Sequence, residues 1–296
     1  MSQEKTKAGF VALVGRPNAG KSTLMNWLLG ETITMVSHKA NATRRRINAI
    51  VMHKNNQIIF IDTPGLHKQE KLLNQFMLEE ALKAIGDADL VLFLSPVNDG
   101  VKYYKEFLAL NDKKRPHIVL LTKIDQYSKE KLFATMQEFS ALQDNFLALI
   151  PVSSTKGLGE KDILNEISKY IPESPYLYDP EDLTTEHLRE IYREFIREAI
   201  FDNISDEIPY ESDVVIKSVE EGDTMEHIFA QIIVEKPTQK GMMIGKKGTA
   251  IKRIGTDARQ KIEHLIQKKV YLELSVTVKK GWTKDKKSLQ DLGYNH

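Results

Sequence analysis

The stretch GRPNAGKS at Gly15–Ser22 fits the pattern G-x-x-x-x-G-K-[ST] at every fixed position. An apolar run, Phe10–Val14, comes directly before it, and helical periodicity runs from Lys21 to a stop at Gly30. A glycine-containing turn between a strand and a helix directs backbone N–H groups and the positive end of the helix dipole toward a phosphate. The stretch therefore predicts a nucleoside-triphosphate site, with a purely structural turn as the alternative.

The sequence around this motif alternates short apolar runs with amphipathic stretches. We expect strands at Phe10–Val14, Arg46–His53, Gln57–Asp62, Leu90–Leu94, Ile118–Leu121 and Phe146–Ile150. The second and third flank turn residues and predict a hairpin, and the others alternate with helices. The fold class is therefore predicted as α/β with a mostly parallel sheet.

Three closely spaced prolines, Pro172, Pro175 and Pro180, follow this region and cannot continue a helix or a central strand. We expect a domain at residues 1–172, a linker at 173–182 and a second domain at 183–296. The pattern of the second domain predicts the order helix, strand, strand, helix, loop, helix, strand. Thr184 or Thr185 is the predicted N-cap of its first helix.

The net charge of +1 over 296 residues hides a strong asymmetry. Residues 236–287 contain 15 Lys and Arg against 4 Asp and Glu, a local net charge of +11, whereas the rest of the chain carries −10. Such a segment is typical of a surface that meets a polyanion, although a solvated basic face is the alternative.

Composition also predicts a compartment. The absence of cysteine excludes disulfides and thiolate metal sites and favours a reducing environment. Met1–Lys7 is polar and lacks the features of a secretory signal, and no apolar run reaches the length of a membrane span. We expect a cytoplasmic protein, and the basic segment leaves open a partly peripheral position at the inner face of the cell membrane.

A second phosphate motif, Asp62-Thr63-Pro64-Gly65, follows the apolar strand Ile58–Ile61. A carboxylate at such a strand end can hold Mg²⁺ through water, and the Gly65 N–H can contact a γ-phosphate. Ser22 supplies a second oxygen ligand for the metal. By itself the motif is a common turn, but its place downstream of Gly15–Ser22 favours the functional interpretation.

Two further loops contain candidate residues for binding the base of the nucleotide. Thr122-Lys123-Ile124-Asp125 follows one predicted strand, and Ser153-Ser154-Thr155 follows the next. The Asp125 carboxylate can accept hydrogen bonds from N1–H and the exocyclic amine of guanine, which adenine cannot offer there. The stem of Lys123 can cover the ring face. These loops favour GTP over ATP, so an ATPase is the weaker alternative.

Together these stretches resemble the GTPase superfamily, and the chain resembles most closely the Era family of bacterial ribosome-assembly GTPases. The resemblance rests on Gly15–Leu24, Asp62–His67 and a C-terminal domain that runs through Gly281-Trp282. It implies that Thr43, in the segment Lys39–Arg44, ligates Mg²⁺ when GTP is bound. The chain departs from the usual N-K-x-D base motif, because Thr122 replaces the asparagine.

Leu66 stands where Ras-like enzymes carry the glutamine that orients water. The resemblance makes this apolar residue expected. Related GTPases with an asparagine in the phosphate loop use it to bind K⁺ beside the phosphates, and Asn18 has that position. We therefore expect Mg²⁺ as cofactor, and K⁺ as a second ion unless Asn18 only caps the loop.

The basic segment contains Ile244-Gly245-Lys246-Lys247-Gly248, which fits the G-x-x-G loop of a KH domain. The predicted flanking helices and strands match the type II arrangement. Such a loop clamps the backbone of about four single-stranded nucleotides. Lys252 and Arg253 are candidate phosphate contacts or a solvated face, and Trp282 can stack on a base or anchor the tail.

The resemblance to the Era family implies that the RNA is the 3′ end of small-subunit ribosomal RNA, and that the chain acts in small-subunit assembly. Two alternatives of another class stay open: an RNA-binding scaffold that senses nucleotide with negligible hydrolysis, which Leu66 permits, and a GTPase of the membrane surface. Oligomeric state is not determined by the sequence.

The predicted site residues fall into four groups. The catalytic candidates are Asn18, Lys21, Thr43 and Gly65. The GTP-binding candidates are Gly15, Arg16, Pro17, Asn18, Ala19, Gly20, Lys21, Ser22, Thr23, Asp62, Thr63, Pro64, Gly65, Thr122, Lys123, Asp125, Ser153, Ser154 and Thr155. The metal ligands are Ser22, Thr43 and Asp62, and the RNA-binding candidates are Ile244, Gly245, Lys246, Lys247, Gly248, Lys252 and Arg253.

Overall fold

The computed structural model describes residues 5–37, 43–66, 72–205 and 207–294. These residues form two compact units. The first unit contains residues 5–33, 43–66 and 77–185, and the second contains 34–37, 72–76 and the described residues from 186 to 294.

The first unit is built on a six-stranded sheet. Its strands are β1 (Lys7–Val14), β2 (Ile47–His53), β3 (Asn56–Asp62), β4 (Leu90–Pro96), β5 (His117–Thr122) and β6 (Leu149–Pro151). The order is β2-β3-β1-β4-β5-β6, and every neighbouring pair is parallel except the β2–β3 hairpin. The associated helices are α1 (Lys21–Leu29), residues 77–87 of α2 (Leu72–Asp87), α3 (Lys102–Leu110), α4 (Lys129–Ser140) and α5 (Glu160–Tyr170).

This architecture confirms the predicted mostly parallel α/β sheet. In β1, β4 and β5, both faces are buried, which explains why these strands are continuous apolar runs without alternation. The carboxyl ends of parallel strands meet at one edge of a sheet, so the loops that follow β1, β3, β5 and β6 are brought to the same edge.

The predicted strand Phe146–Ile150 is displaced in the structure, where β6 covers only Leu149–Pro151. A short 3₁₀ turn, Gln143–Asn145, precedes it. Phe146 packs against the apolar core instead of taking a place in the ladder. Apolar periodicity does not distinguish these two uses of an aromatic side chain.

The proline-containing segment lies against the edge of the first unit's sheet. The buried Gln57 side chain accepts hydrogen bonds from the N–H groups of Leu177 and Tyr178, at 2.7 and 3.0 Å, and donates to the Tyr178 carbonyl. Further along, the Ile50 N–H donates to the Leu183 carbonyl at 2.9 Å. The edge strand β2 is thereby paired within the chain at Ala49 and Ile50, which protects that part of it from pairing with another chain.

The predicted N-cap at Thr184 or Thr185 is wrong. The Thr184 hydroxyl donates to the Asn48 carbonyl and the Thr185 hydroxyl accepts from the Asn48 side chain, so β2 uses both groups. The helix begins later, with His187 at the N-cap position and no side-chain cap.

The second unit has the predicted order of elements. These are α6 (Leu188–Asn203), β7 (Ser212–Glu221), β8 (Met225–Val234), α7 (Pro237–Ile244), α8 (Thr249–Ile266), β9 (Lys269–Val278) and α9 (Lys286–Asp291). The sheet order is β7-β8-β9, with β7 antiparallel and β9 parallel to β8. This arrangement matches the predicted type II KH fold.

Helix α6 is unusual because residues 191–201 are all buried, including two arginines and two glutamates. A typical surface helix buries only one stripe and leaves its charged residues in water. Ile196, Ala199 and Ile200 belong to the apolar core of the second unit, together with Ile254 and Ala258 of α8.

Within the described ranges, every helix is too short or too polar to cross a membrane.

Candidate nucleotide-binding site and RNA-binding loop

The loop between β1 and α1 has the backbone that its sequence predicts. A Cβ atom on Gly15 would lie 2.6 Å from the Leu94 carbonyl oxygen, so only glycine fits there. Gly20 has a φ of +102° and Asn18 has +61°, both in the left-handed region that glycine and asparagine tolerate best. The conformation opens the N-terminus of α1, where backbone N–H groups are available to phosphate oxygens.

Lys21 is buried inside this loop, with 6% of its surface exposed. Its Nζ donates to the carbonyl oxygens of Gly15 and Arg16, at 3.2 and 3.1 Å. Burial lowers the pKa of Lys21 from 10.5 to about 8, and the neighbouring Asp62 carboxylate opposes part of that shift. The charged form of Lys21 therefore becomes more favourable when phosphate oxygens enter the site.

The three predicted metal ligands are brought together. The Ser22 hydroxyl donates to Asp62 Oδ2 at 2.6 Å and lies 3.1 Å from the Thr43 hydroxyl. Hydroxyl and carboxylate oxygens suit Mg²⁺, which usually takes few protein ligands and completes its shell with phosphates and water. The three side chains therefore provide oxygens of the kind that a Mg²⁺ site uses.

The loop after β3 is held against the phosphate loop. The Thr63 hydroxyl donates to the Leu13 carbonyl at 2.6 Å, which is a structural use of a predicted ligand. A Cβ on Gly65 would collide with Pro17, so glycine is required for this approach. The Leu66 N–H donates to the Gly15 carbonyl at 3.1 Å, and its side chain packs against the apolar core. His67 and Lys39–Ala42 lie outside the described residues.

The base-recognition loops also meet. Asp125 Oδ1 accepts from the Ser153 hydroxyl at 2.6 Å, and the Thr155 hydroxyl lies 3.4 Å from Oδ2. The Ser153 hydrogen bond lowers the pKa of Asp125 below its ordinary value, so the carboxylate stays an ionised acceptor. Lys123 adopts a left-handed backbone with a φ of +61°, which turns the chain between β5 and Asp125.

Thr122 joins the base loop to the phosphate loop. Its hydroxyl is buried and donates to the Ala19 carbonyl of the phosphate loop at 2.9 Å. The threonine hydroxyl donates only this one hydrogen bond, whereas the asparagine of the usual motif has a longer side chain that can donate two. The substitution therefore keeps a direct tether between the two loops.

Arg16 has a partner that the sequence did not reveal. Its guanidinium forms a two-point ion pair with Asp99, in which Nη2 lies 2.9 Å from Oδ1 and Nε contacts Oδ2. Nη1 donates to the Pro17 carbonyl, and the group lies 5.6 Å from the centre of the Tyr103 ring. The turn Asn98-Asp99-Gly100 after β4 was the available signal.

The remaining predicted GTP-binding residues occupy the expected elements. Thr23 follows Ser22 on the first turn of α1, Pro64 is buried between Thr63 and Gly65, and Ser154 begins the 3₁₀ turn after β6.

In the second unit, the G-x-x-G loop joins α7 and α8. Gly245 has a φ of +75°, and a Cβ there would lie 2.8 Å from the backbone of Ala250. Gly248 has a φ of +78° and faces open space, so a phosphate can approach its backbone. Lys246 and Lys247, between these glycines, are exposed. This geometry suits a clamp on a nucleic-acid backbone.

The residues around the loop divide into exposed and buried groups. Lys252 and Arg253, on the first turns of α8, are exposed, whereas Ile244 packs against the apolar core. Trp282 is fully buried, and its indole N–H donates to the Glu211 carbonyl at 3.2 Å. Of the two uses predicted for Trp282, the structure shows the anchor of the C-terminal tail.

Family models match both units. The family described as 50S ribosome-binding GTPase matches residues 10–123, and the KH domain family matches residues 207–283. GTPase Era of Campylobacter concisus is 52% identical over 289 residues, which cover 97% of this chain and all of the relative. GTPase Era of Helicobacter pylori is also 52% identical, over 99% of this chain and 98% of the relative.

The chain belongs to the Era family of GTPases.

Solved structures of family members agree over the full length. The structure of a point variant of Aquifex aeolicus Era bound to GDP and AlF₄⁻ has a TM-score of 0.93 and 32% identity, over 98% of this chain and all of that one. Era in complex with MgGDPNP and nucleotides 1506–1542 of 16S ribosomal RNA has a TM-score of 0.94 and 33% identity, with the same coverage. This Era-family chain is thus a GTP-hydrolysing enzyme with a KH domain.

Replacing Thr122 by valine should weaken GDP binding. Valine keeps the shape of threonine but leaves the buried Ala19 carbonyl without this hydrogen bond, so the two loops are held less firmly in the arrangement that the nucleotide needs. The bond contributes about 1 kcal/mol, which sets an upper limit of roughly fivefold on the rise in Kd. Fluorescence titration with labelled GDP measures the change, and Thr122→Ser, which keeps the hydroxyl, is the control. A Kd for Thr122→Val equal to that of the wild type would show that the tether contributes nothing.

Nucleotide binding should take up a proton at mildly alkaline pH. Because burial lowers the pKa of Lys21 to about 8, most of this side chain is neutral at pH 8.5, and contact with phosphate oxygens should restore the ammonium. Calorimetry of GDP binding in two buffers of different ionisation enthalpy should show uptake of up to about one proton at pH 8.5 and little at pH 7. Enthalpies independent of the buffer at pH 8.5 would argue against this.

Proposed function

We propose that the chain is a GTP-driven switch in small-ribosomal-subunit assembly, whose KH domain holds the single-stranded 3′ end of small-subunit ribosomal RNA. The observation that carries the proposal is the presence, in one chain, of a guanine-selective phosphate site and an open G-x-x-G loop that contains two exposed lysines. The family member bound to 16S ribosomal RNA and MgGDPNP supports the choice of RNA.

In the proposed reaction, water attacks the γ-phosphate while the loop holds the nucleotide. Lys21 and the N–H groups at the start of α1 bind phosphate oxygens and stabilise the charge that develops in the transition state. Mg²⁺, for which Ser22, Thr43 and Asp62 provide fitting oxygens, supplies further neutralisation of phosphate charge when bound. The Gly65 backbone lies against Pro17 of the phosphate loop, and we propose that its N–H contacts the γ-phosphate.

The position of water must be set by another group, because the Leu66 side chain packs into the core. We propose that Asn18 helps to bind K⁺ next to the phosphates, where the ion offsets charge in the way an arginine finger does. The supporting observation is the place of Asn18 in the phosphate loop, three residues before Lys21, with a left-handed backbone at a φ of +61°.

The switch itself consists of the segments that carry Thr43 and Gly65. We propose that GTP orders both, and that this changes how the KH domain presents its loop to RNA, so that hydrolysis times release from a pre-ribosomal particle.

We propose a cytoplasmic location, because bacterial ribosomal RNA is found in the cytoplasm. The exposed lysines of the second unit also allow contact with an anionic membrane surface. Sedimentation with vesicles of acidic lipids would detect such contact.

GTP turnover in potassium and in sodium, with and without RNA, tests the proposal. At matched ionic strength we expect turnover to be roughly tenfold or more faster in K⁺, since one group that stabilises the transition state contributes on the order of 100-fold. A short single-stranded RNA with the sequence of the ribosomal 3′ end should change the rate, and a scrambled RNA should not.

Asn18→Gly is the matched variant, because glycine keeps the left-handed backbone and removes only the side chain. It should turn over GTP at the sodium rate in both salts, with GDP affinity within about twofold of the wild type. A variant that still responds to K⁺, or a wild type that does not, removes the potassium role. No effect of the ribosomal sequence on either rate or binding would remove the proposed RNA.

A further inference from the structure

Residues 34–37, which follow α1 in the chain, belong to the second unit, where Thr34 and Met35 are buried and the Val36 side chain is exposed. Met35 is 1% exposed and lies against Phe201 of α6 and Tyr210. The Val36 N–H donates to the Glu198 carboxylate of α6, at 3.3 Å from Oε1. One apolar contact and one polar contact therefore hold this segment to the same helix.

Glu198 has a second partner on the RNA-binding side. Its Oε2 lies 2.8 Å from Nζ of Lys261, on α8, the helix that begins directly after Gly248. Glu198 is 5% exposed, and burial raises the pKa of its carboxyl while Lys261, its largest opposing influence, lowers it; Asp202 adds a smaller rise. A buried carboxylate is costly without its partners, so Glu198 is sensitive to the loss of either one.

A second line of contacts reaches α6 from the start of α2. Phe76 meets the Tyr294 ring edge-on, with centroids 5.1 Å apart and planes at 84°. The Tyr294 hydroxyl donates to Asp213 Oδ2 at 2.7 Å, and Asp213 Oδ1 lies 3.6 Å from Nε of Arg197 on α6. Asp213 and Tyr294 are almost fully buried, so water screens the contacts of this line only weakly.

Both lines start in segments tied by the chain to the nucleotide site. Met35 and Val36 lie between α1 and Thr43, and Phe76 lies on the helix that follows Gly65 in the chain. We propose that α6 is the element through which both nucleotide-responsive segments act on the RNA-binding helix α8, with Glu198 as the positioning residue that joins Val36 to Lys261. This inference rests on the proposed function, because it supplies the route for the proposed coupling between GTP and RNA.

A displacement of one element packed against α6 also displaces the other elements that contact this helix. Residues 191–201 are buried throughout, and close-packed interiors transmit a displacement and do not absorb it. A shift of residues 34–37 removes the Val36 N–H from Glu198, so the carboxylate then depends more strongly on Lys261. Helix α8, which shares the core with α6, carries the change to the loop at Gly245–Gly248.

The test measures the RNA affinity of the full chain with GDPNP and with GDP. The probe is a short single-stranded RNA with the sequence of the ribosomal 3′ end. The measured ratio is the Kd for RNA with GDP divided by the Kd for RNA with GDPNP. Met35→Ala removes the apolar contact of the segment, and Glu198→Gln weakens the link to Lys261 while keeping an oxygen for Val36. Met225→Ala and Glu220→Gln, at exposed positions of the same unit, are the matched controls.

We expect a wild-type ratio in the range of about 5- to 150-fold, which is typical of allosteric coupling. Met35→Ala and Glu198→Gln should each lower it by about threefold or more towards one, because the line through Phe76 stays in place, with RNA affinity in the GDP complex and basal GTP turnover within about twofold of the wild type. The two controls should keep the wild-type ratio. Thermal unfolding verifies that each variant is folded.

The outcomes separate the two proposals. A wild-type ratio of one removes the coupling that the proposed function requires. A wild-type ratio above about five that survives in both variants leaves the proposed function intact and overturns the role of α6. Two further outcomes overturn the role of α6, because they show that these residues only support the structure. In the first, both variants bind RNA equally poorly in the two nucleotide states. In the second, one variant does not fold and the other keeps the wild-type ratio.

Discussion

The nucleotide site depends on hydrogen bonds that the phosphate loop and the strand before it accept from the other motifs. The Thr63 hydroxyl bonds to Leu13, the Leu66 N–H to Gly15, and the Thr122 hydroxyl to Ala19. Lys21 adds its own bonds to the loop carbonyls. Separate segments are thereby fixed against one loop, because buried backbone carbonyls must find donors. The order of the sheet, with β1 between β3 and β4, makes these bonds reachable.

Much of the fold and of the nucleotide site could be predicted from the sequence, because short stretches of residues determine these features. The glycine positions, the apolar strands and the residues at strand ends predict the α/β sheet, the clustering of Ser22 with Asp62, and the KH loop. The wrong prediction and the contact that was not predicted both involve segments that are distant in the chain. Thr184 and Thr185 have good capping chemistry, but β2 competes for their hydroxyls. The Arg16–Asp99 pair spans 83 positions, and the sequence shows the turn that carries Asp99 but does not show its partner.

The same distinction applies to the second unit. The spacing of Gly245 and Gly248 indicates a turn, and the charge of Lys246 and Lys247 indicates an anionic partner. In contrast, the burial of the charged residues of α6 depends on elements distant in the chain, and only the structure shows it. Met35 likewise looks like an ordinary loop residue, although it packs against Phe201. Buried charges of this kind are expensive, and such residues are more informative about function than the apolar core that surrounds them.

The proposed function joins a guanine-nucleotide site to an RNA clamp in one chain. Such coupling is reciprocal, so RNA must change nucleotide affinity by the same factor by which nucleotide changes RNA affinity. The decisive measurement is the Kd of GDPNP and of GDP with and without saturating ribosomal 3′-end RNA. We expect RNA to tighten GDPNP binding by about fivefold or more relative to GDP. Equal effects of RNA on the two nucleotides, or none on either, would refute the coupling.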